Sequence, residues 1–448
     1  MKRLLRIAAV CMIALAAMLV LSGCLGDSAE ELYCLPQASE RFIQLQEKIN
    51  ETMTDGMVYS PPTSGYNRQS VQLQDLDSDG KNEAIAFFKV ADEKPLRIYV
   101  FREDDGDFEC SMTIAGEGTA IDSIVYCDMD GDGILELVVG WQMNSTIKML
   151  TMYSVVNDQP TALASADFSE YTVTDIDSDA DSEIFVVCRS EADAPGVARL
   201  FNLMDDREMI ELTANLSADT GDVVRIMRGS LSDGDPAVFV DSAYSGGVIT
   251  DVFALSRNGK FKNVTAERQK GVSSDLSREL NIYTSDINGD GHMDVPIPRP
   301  LMSQSETVYY CIDWYSVDSH GYQTLTLTTY HNYSDGWYLI IPSSWREKVS
   351  VRREDTASGE RAIVFSLIIN GEMGGVELED FLKLYTLTGD NKRELSEKPG
   401  RFSIMVRPDA VYSAQILVSP ESFPLKLSEV LIKENFRIIY SEWSTGAI

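Results

Sequence analysis

Only three of the 448 residues are histidine: His292, His320 and His331. The chain has no H-E-x-x-H zinc motif, no G-x-S-x-G turn for a nucleophilic serine and no glycine-rich phosphate loop. Positive charge is also scarce, with 38 lysines and arginines against 70 acids and a formal net charge of −32. A phosphate backbone would be repelled by that surface, which excludes nucleic acid as a partner. The seven cysteines show no C-x-x-C spacing, so no thiolate metal site or redox pair is implied. Beyond the first two dozen residues no apolar run reaches the roughly eighteen residues a membrane span needs.

What the chain does have begins at its first residue. Lys2, Arg3 and Arg6 form a basic start, Ile7 to Val20 is almost wholly apolar, and Leu21-Ser22-Gly23-Cys24 follows. An apolar residue, two small residues and a cysteine form the bacterial lipobox. Small residues let the backbone enter a peptidase cleft, and the Cys24 thiol accepts the diacylglyceryl group. We read residues 1–23 as a lipoprotein signal peptide. Two acyl chains on Cys24 would anchor the chain stably to the outer face of the cell membrane. Removing residues 1–23 deletes three cations and no acid, taking −32 to −35. Cys34, Cys110, Cys127, Cys188 and Cys311 are then expected mainly as buried free thiols, with one or two disulfides left open.

The remaining acids are not scattered. One unit recurs five times, starting at residues 75, 128, 175, 229 and 286, so the steps are 53, 47, 54 and 57. The first loop carries Asp75, Asp77, Asp79, Lys81 and Glu83 at positions 1, 3, 5, 7 and 9. The second carries Asp128, Asp130, Asp132, Ile134 and Glu136, and the third Asp175, Asp177, Asp179, Asp181 and Glu183. The fifth carries Asp286, Asn288, Asp290, His292 and Asp294. A short apolar run follows each loop, such as Ala84-Ile85-Ala86-Phe87-Phe88. The fourth copy, around Asp233-Gly234-Asp235, lacks acids at positions 1, 3 and 9 and is expected to hold no metal.

Calcium is a hard cation that takes about six to eight oxygens at roughly 2.3–2.6 Å. Carboxylates at alternate positions converge when the backbone curls, and glycine at position 6 permits the curl. Position 7 can add its carbonyl, so the His292 imidazole is expected to stand aside. Without a cation the crowded acids repel one another, so Ca2+ should couple to folding. In the third loop Ala180 replaces the glycine, which should weaken that site. An EF-hand starts in the same way but needs Glu at position 12 and flanking helices. Here position 12 is Ala86, Val139, Val186 and Ile297, and the flanks alternate like strands.

These loops resemble the FG-GAP and VCBS repeats of integrin-like β-propellers over about residues 68–300, in the pattern D-x-D-x-D-G-x-x-[DE]. The resemblance implies a mainly β fold with calcium loops between two strands of each blade. With the lipobox, it looks like VCBS-repeat lipoproteins of Gram-positive type. Residues 24–67 are expected to form a tether and a short helix from the N-cap Ser39, and residues 68–330 a β-propeller of about five blades, six or seven being the alternatives. Residues 331–448 read as a small C-terminal α+β domain, with Ser428 capping a helix within Leu427–Ile438. Trp337, Trp345 and Trp443 are candidates for a sugar-stacking surface or for core. A cell-surface binding or scaffold module fits best, its partner a cell-wall glycan or a surface protein. The competing expectation is a carbohydrate-active hydrolase or lyase with an all-carboxylate site.

Overall fold

The computed structural model describes residues 40–439, except 105, 189–193, 205–206, 267–270, 303–306, 358 and 371–375. The signal segment, Cys24, Cys34, Ser39 and Trp443 lie outside the described residues. No described helix is long and apolar enough to cross a membrane.

The described chain forms two compact units. The first comprises residues 40–62, 68–75 and 79–117. Its helix Glu40–Thr52 buries Leu45 and Ile49, four residues apart and so on one face. They pack with Met57, Ala86, Phe88 and Phe101 of the first antiparallel sheet. That sheet runs through Glu83–Lys89, Leu96–Asp104 and Asp107–Gly116, with Val58–Tyr59 and Val71–Gln74 both paired to Glu83–Lys89.

The second unit comprises residues 63–67, 76–78 and 118–439. It contains five antiparallel sheets, and the sequence order of strands is kept from edge to edge in most of them. The second sheet is Ala120–Cys127, Glu136–Gln142, Lys148–Ser154 and Thr161–Phe168. The third is Glu170–Thr174, Glu183–Cys188, Val197–Leu203 and Met209–Asn215. The fourth is built on Val223–Ser230, Pro236–Tyr244, Gly247–Leu255 and Phe261–Asn263. A fifth runs from Asp294–Pro300 through Tyr310–Val317 and Gln323–Asn332 to Trp337–Ile341. The sixth holds Val349–Ala357, Glu360–Asn370, Val376–Leu387, Val411–Ile416 and Arg401–Val406, in that spatial order.

Alternation along a strand explains why the apolar runs are continuous. In Glu183–Cys188, Ile184 and Val186 pack with Val138, Leu150 and Met152 of the second sheet. Their neighbours Phe185 and Val187 face the other way, onto Val238, Val240 and Phe253 of the fourth. Side chains alternate faces with period two, so a strand between two sheets must be apolar at every position. The fourth and fifth sheets share Phe239, Val252, Val295 and Val317. The fifth and sixth share Leu339, Ile341, Phe365 and Leu384. Each fully buried Phe or Ile in these seams contributes about 1.5–3 kcal/mol.

The sequence places a domain boundary at residue 330. It falls inside strand Gln323–Asn332, and Trp337–Ile341 and Phe436–Ile438 hydrogen-bond into the same sheet. The repeat motif stops before this region while its strands continue. The segment expected as one helix over Leu427–Ile438 divides into helix Glu429–Asn435 and strand Phe436–Ile438, with Ser428 accepting the Leu431 amide as N-cap. Trp337 and Trp345 are 1% and 0% exposed, which places them in the core and off any sugar surface. None of the four described cysteines is paired; Cys127, Cys188 and Cys311 are buried, and Cys110 is exposed.

Candidate metal centres

Each of the first three acidic loops is a corner between two paired strands, whereas the fifth enters strand Asp294–Pro300 from the isolated bridge Ser285–Asp294. The second joins Ala120–Cys127 to Glu136–Gln142, and the third joins Glu170–Thr174 to Glu183–Cys188. Their backbones curl through left-handed residues at positions 4 and 6. Position 6 has φ +85° at Gly80, +84° at Gly133 and +88° at Gly291. Ala180 takes the same conformation at φ +81°, where its Cβ is strained. Ala180→Gly is therefore expected to stabilise the protein by about 1 kcal/mol, read as a shift in the urea midpoint at unchanged slope.

The curl is held by the carboxylates themselves. Asp128 Oδ2 accepts the Gly133 amide at 3.0 Å, and Asp132 Oδ1 accepts the Ile134 amide at 2.8 Å. Glu136 Oε2 accepts the Met129 amide at 3.0 Å. The third loop repeats this: Ala180 N to Asp175, Asp181 N to Asp179, and Ile176 N to Glu183. In the first loop Asp75 accepts Gly80 N and Asp79 accepts Lys81 N. In the fifth, Asp286 accepts the amides of Gly289, Asp290 and Gly291, and Asp290 accepts that of His292.

In Asp75, Asp128, Glu136 and Glu183 these bonds use one oxygen and leave the other without a hydrogen bond, whereas Asp286 uses both. Asp128 Oδ1, Asp130 Oδ1 and Glu136 Oε1 are buried with no hydrogen-bond partner, as are Asp75 Oδ1, Glu183 Oε1 and Asp294 Oδ2. One ligand atom from each of Asp128, Asp130 and Glu136 lies within 4.8 Å of the others. Asp175, Asp177 and Glu183 form the same trio, and so do Asp75, Asp77 and Glu83 within the first loop. Oxygens about 2.3–2.6 Å from a shared cation stand at most about 5 Å apart, so the trios fit Ca2+. Bound there, the ion would supply the positive charge that these inward oxygens lack.

The electrostatics agree. Burial, with repulsion from neighbouring acids, pushes Glu136 up to about 7 and Glu183 to about 8. Burial also raises Asp294 to about 6, against a hydrogen bond from Thr326. Asp130 and Asp177 are raised by burial and by the acids beside them.

Positions 1, 3 and 9 converge; the position 5 acids Asp79, Asp132 and Asp179 lie outside the trios and brace the position 7 amides. At position 7, Lys81, Ile134, Asp181 and His292 donate those amides. In the fifth loop position 3 is Asn288, whose amide donates to Asp290 Oδ2 at 2.8 Å. The fourth loop is a hydrogen-bonded turn, Leu231 N to Asp235 O, with Asp233 accepting from Ser319. Sequence reasoning missed Arg207, whose guanidinium reaches Asp132 Oδ2 at 2.5 Å and Asp130 Oδ2 at 3.6 Å. No spacing rule links a residue in the third sheet's last hairpin to a loop of the second sheet.

A family model described as an FG-GAP-like repeat matches residues 75–139, from the first acidic loop through the strand after the second. The chain carries an FG-GAP-like repeat. No curated protein matches the sequence. Among solved structures, rhamnogalacturonan lyase YesW aligns at 12% identity with a TM-score of 0.29, covering 72% of this chain and 68% of its own. That likeness is too loose to carry over fold or activity.

Proposed function

We infer that this FG-GAP repeat protein is a calcium-stabilised, propeller-type binding or scaffold module, displayed on the outer face of the cell membrane through a lipid on Cys24. One observation carries the metal reading: carboxylate oxygens at strand corners are buried, partnerless and within 4.8 Å of one another. Buried charge of one sign without a partner is costly, and a divalent cation relieves it. Consecutive sheets packed face to face support reading each sheet as one blade. Calcium then rigidifies the corners, and the surface between them serves a cell-wall glycan or surface protein.

The test is calorimetry on the soluble chain 25–448. Asp128→Ala with Asp132→Ala should remove one calcium equivalent, because the first substitution deletes a ligand and the second unbraces the loop. Unchanged stoichiometry would refute the assignment of this loop.

One cleft favours the enzyme reading. At the strand ends away from the acidic loops, a cavity of about 620 Å³ is lined by Gln142, Lys148, Asp167 and Glu170, among others. Lys148 Nζ sits 2.9 Å from Asp122, and burial outweighs Lys148 to raise the Glu170 carboxyl. A raised carboxyl beside an ammonium suits acid–base chemistry. Turnover on a polysaccharide panel would support this reading over binding alone.

A further inference from the structure

The second loop has a cation of its own. Arg207 belongs to the turn after strand Val197–Leu203, where its amide donates to the Met204 carbonyl. Its backbone holds φ +64°, an unfavourable conformation for a residue with a Cβ. The guanidinium is fixed at both ends. Nη1 donates to Ser154 Oγ at 2.7 Å, and Nη2 lies 2.5 Å from Asp132 Oδ2 and 3.6 Å from Asp130 Oδ2. Ser154 is 4% exposed, so the anchor is set in the second sheet. Among the described residues no lysine or arginine forms an ion pair with Asp175, Asp177, Asp179 or Glu183 of the third loop.

We propose that Arg207 is a built-in counter-cation of the second loop, one that lowers this loop's calcium affinity and keeps it folded when calcium is scarce. The inference rests on the calcium reading above. Asp130 supplies an inward oxygen to the trio while its other oxygen faces Arg207. A Ca2+ ion bound to that inward oxygen would sit within several ångströms of the guanidinium, and like charges so close repel even through partly exposed surroundings. Arg207 also holds Asp132, the brace of the Ile134 amide, so the corner keeps its shape without metal. The chain would then bear graded sites: a self-compensated second loop, and a third loop whose order depends on the ion.

The experiment is calcium chloride titration of metal-free 25–448 by calorimetry. Arg207→Gln should tighten one site at least about fivefold with stoichiometry unchanged. Arg207→Lys, which keeps the charge, should leave that site within about twofold of the parent. In an Asp128→Ala background Arg207→Gln should change nothing. An unchanged or weakened site in Arg207→Gln overturns the proposal, as does a gain that persists with Asp128→Ala. If the parent itself binds no calcium, the metal reading fails first and this one with it. Binding by the parent with no response to Arg207→Gln sinks the counter-cation alone.

Discussion

Calcium at about 10 mM raises the melting temperature of metal-free 25–448 by roughly 5–10 °C. A ligand that binds only the folded state stabilises by RT ln(1 + [L]/Kd). Extracellular calcium modules have Kd values of roughly 0.1–1 mM, so each occupied loop adds about 1.4–2.7 kcal/mol at that concentration. Three carboxylate trios give about 4–8 kcal/mol. With unfolding entropy of about 2 cal/mol/K per residue, a chain of this length melts roughly 1 °C higher for each kcal/mol. Calorimetric scans before and after chelation measure the shift directly. Magnesium should give much less, because it keeps its waters and demands a tighter octahedron. A shift below about 1 °C from a verified metal-free start would remove the structural role given to the loops.

The second large effect changes sign with calcium. Burial raises Glu183 from 4.5 to about 8, so the metal-free folded state holds a proton that the unfolded chain releases. Between about pH 4.5 and 8 the folded state binds more protons, and stability falls as pH rises through that window. Glu136, raised to about 7, acts in the same direction over a narrower range. Glu183→Gln removes the buried charge and keeps an oxygen for the Ile176 amide. In chelator at pH 8 it should therefore be more stable than the parent, by on the order of 2–4 kcal/mol. In saturating calcium it should be less stable, because a ligand is gone. Denaturation curves at pH 5 and pH 8, with and without calcium, show whether the two proteins exchange rank. A Glu183→Gln protein less stable than the parent in all four conditions would mean that the carboxylate is satisfied by something other than a metal.

The same residue shows how far sequence carried the site and where it stopped. Glu183 was legible as position 9 because the acids recur at fixed offsets and an apolar strand follows. Its second role was not: Oε2 caps the Ile176 amide, and that bond turns Oε1 inward. Position 5 has a further role for a related reason. Asp132 looks like a ligand by spacing, yet its own Ile134 amide and Arg207 hold it. Local alternation marks which residues can converge, whereas backbone amides competing for the same oxygens select which do.

Sequence by itself determined the repeat and the acids at alternate positions 1, 3, 5 and 9, because these follow from spacing within about ten residues; that 1, 3 and 9 form the closest trios came from the structure. The apolar run Ile184 to Val187 was legible after its loop, and the packing of neighbouring sheets shows that it is buried on both faces. Only the tertiary structure decided what lies across the chain: that Trp337–Ile341 and Phe436–Ile438 complete the fifth sheet, and that Arg207 meets Asp132 from 75 residues away. Hydrogen-bond ladders and ion pairs between distant segments depend on which faces the packed cores bring together, and no local pattern encodes that.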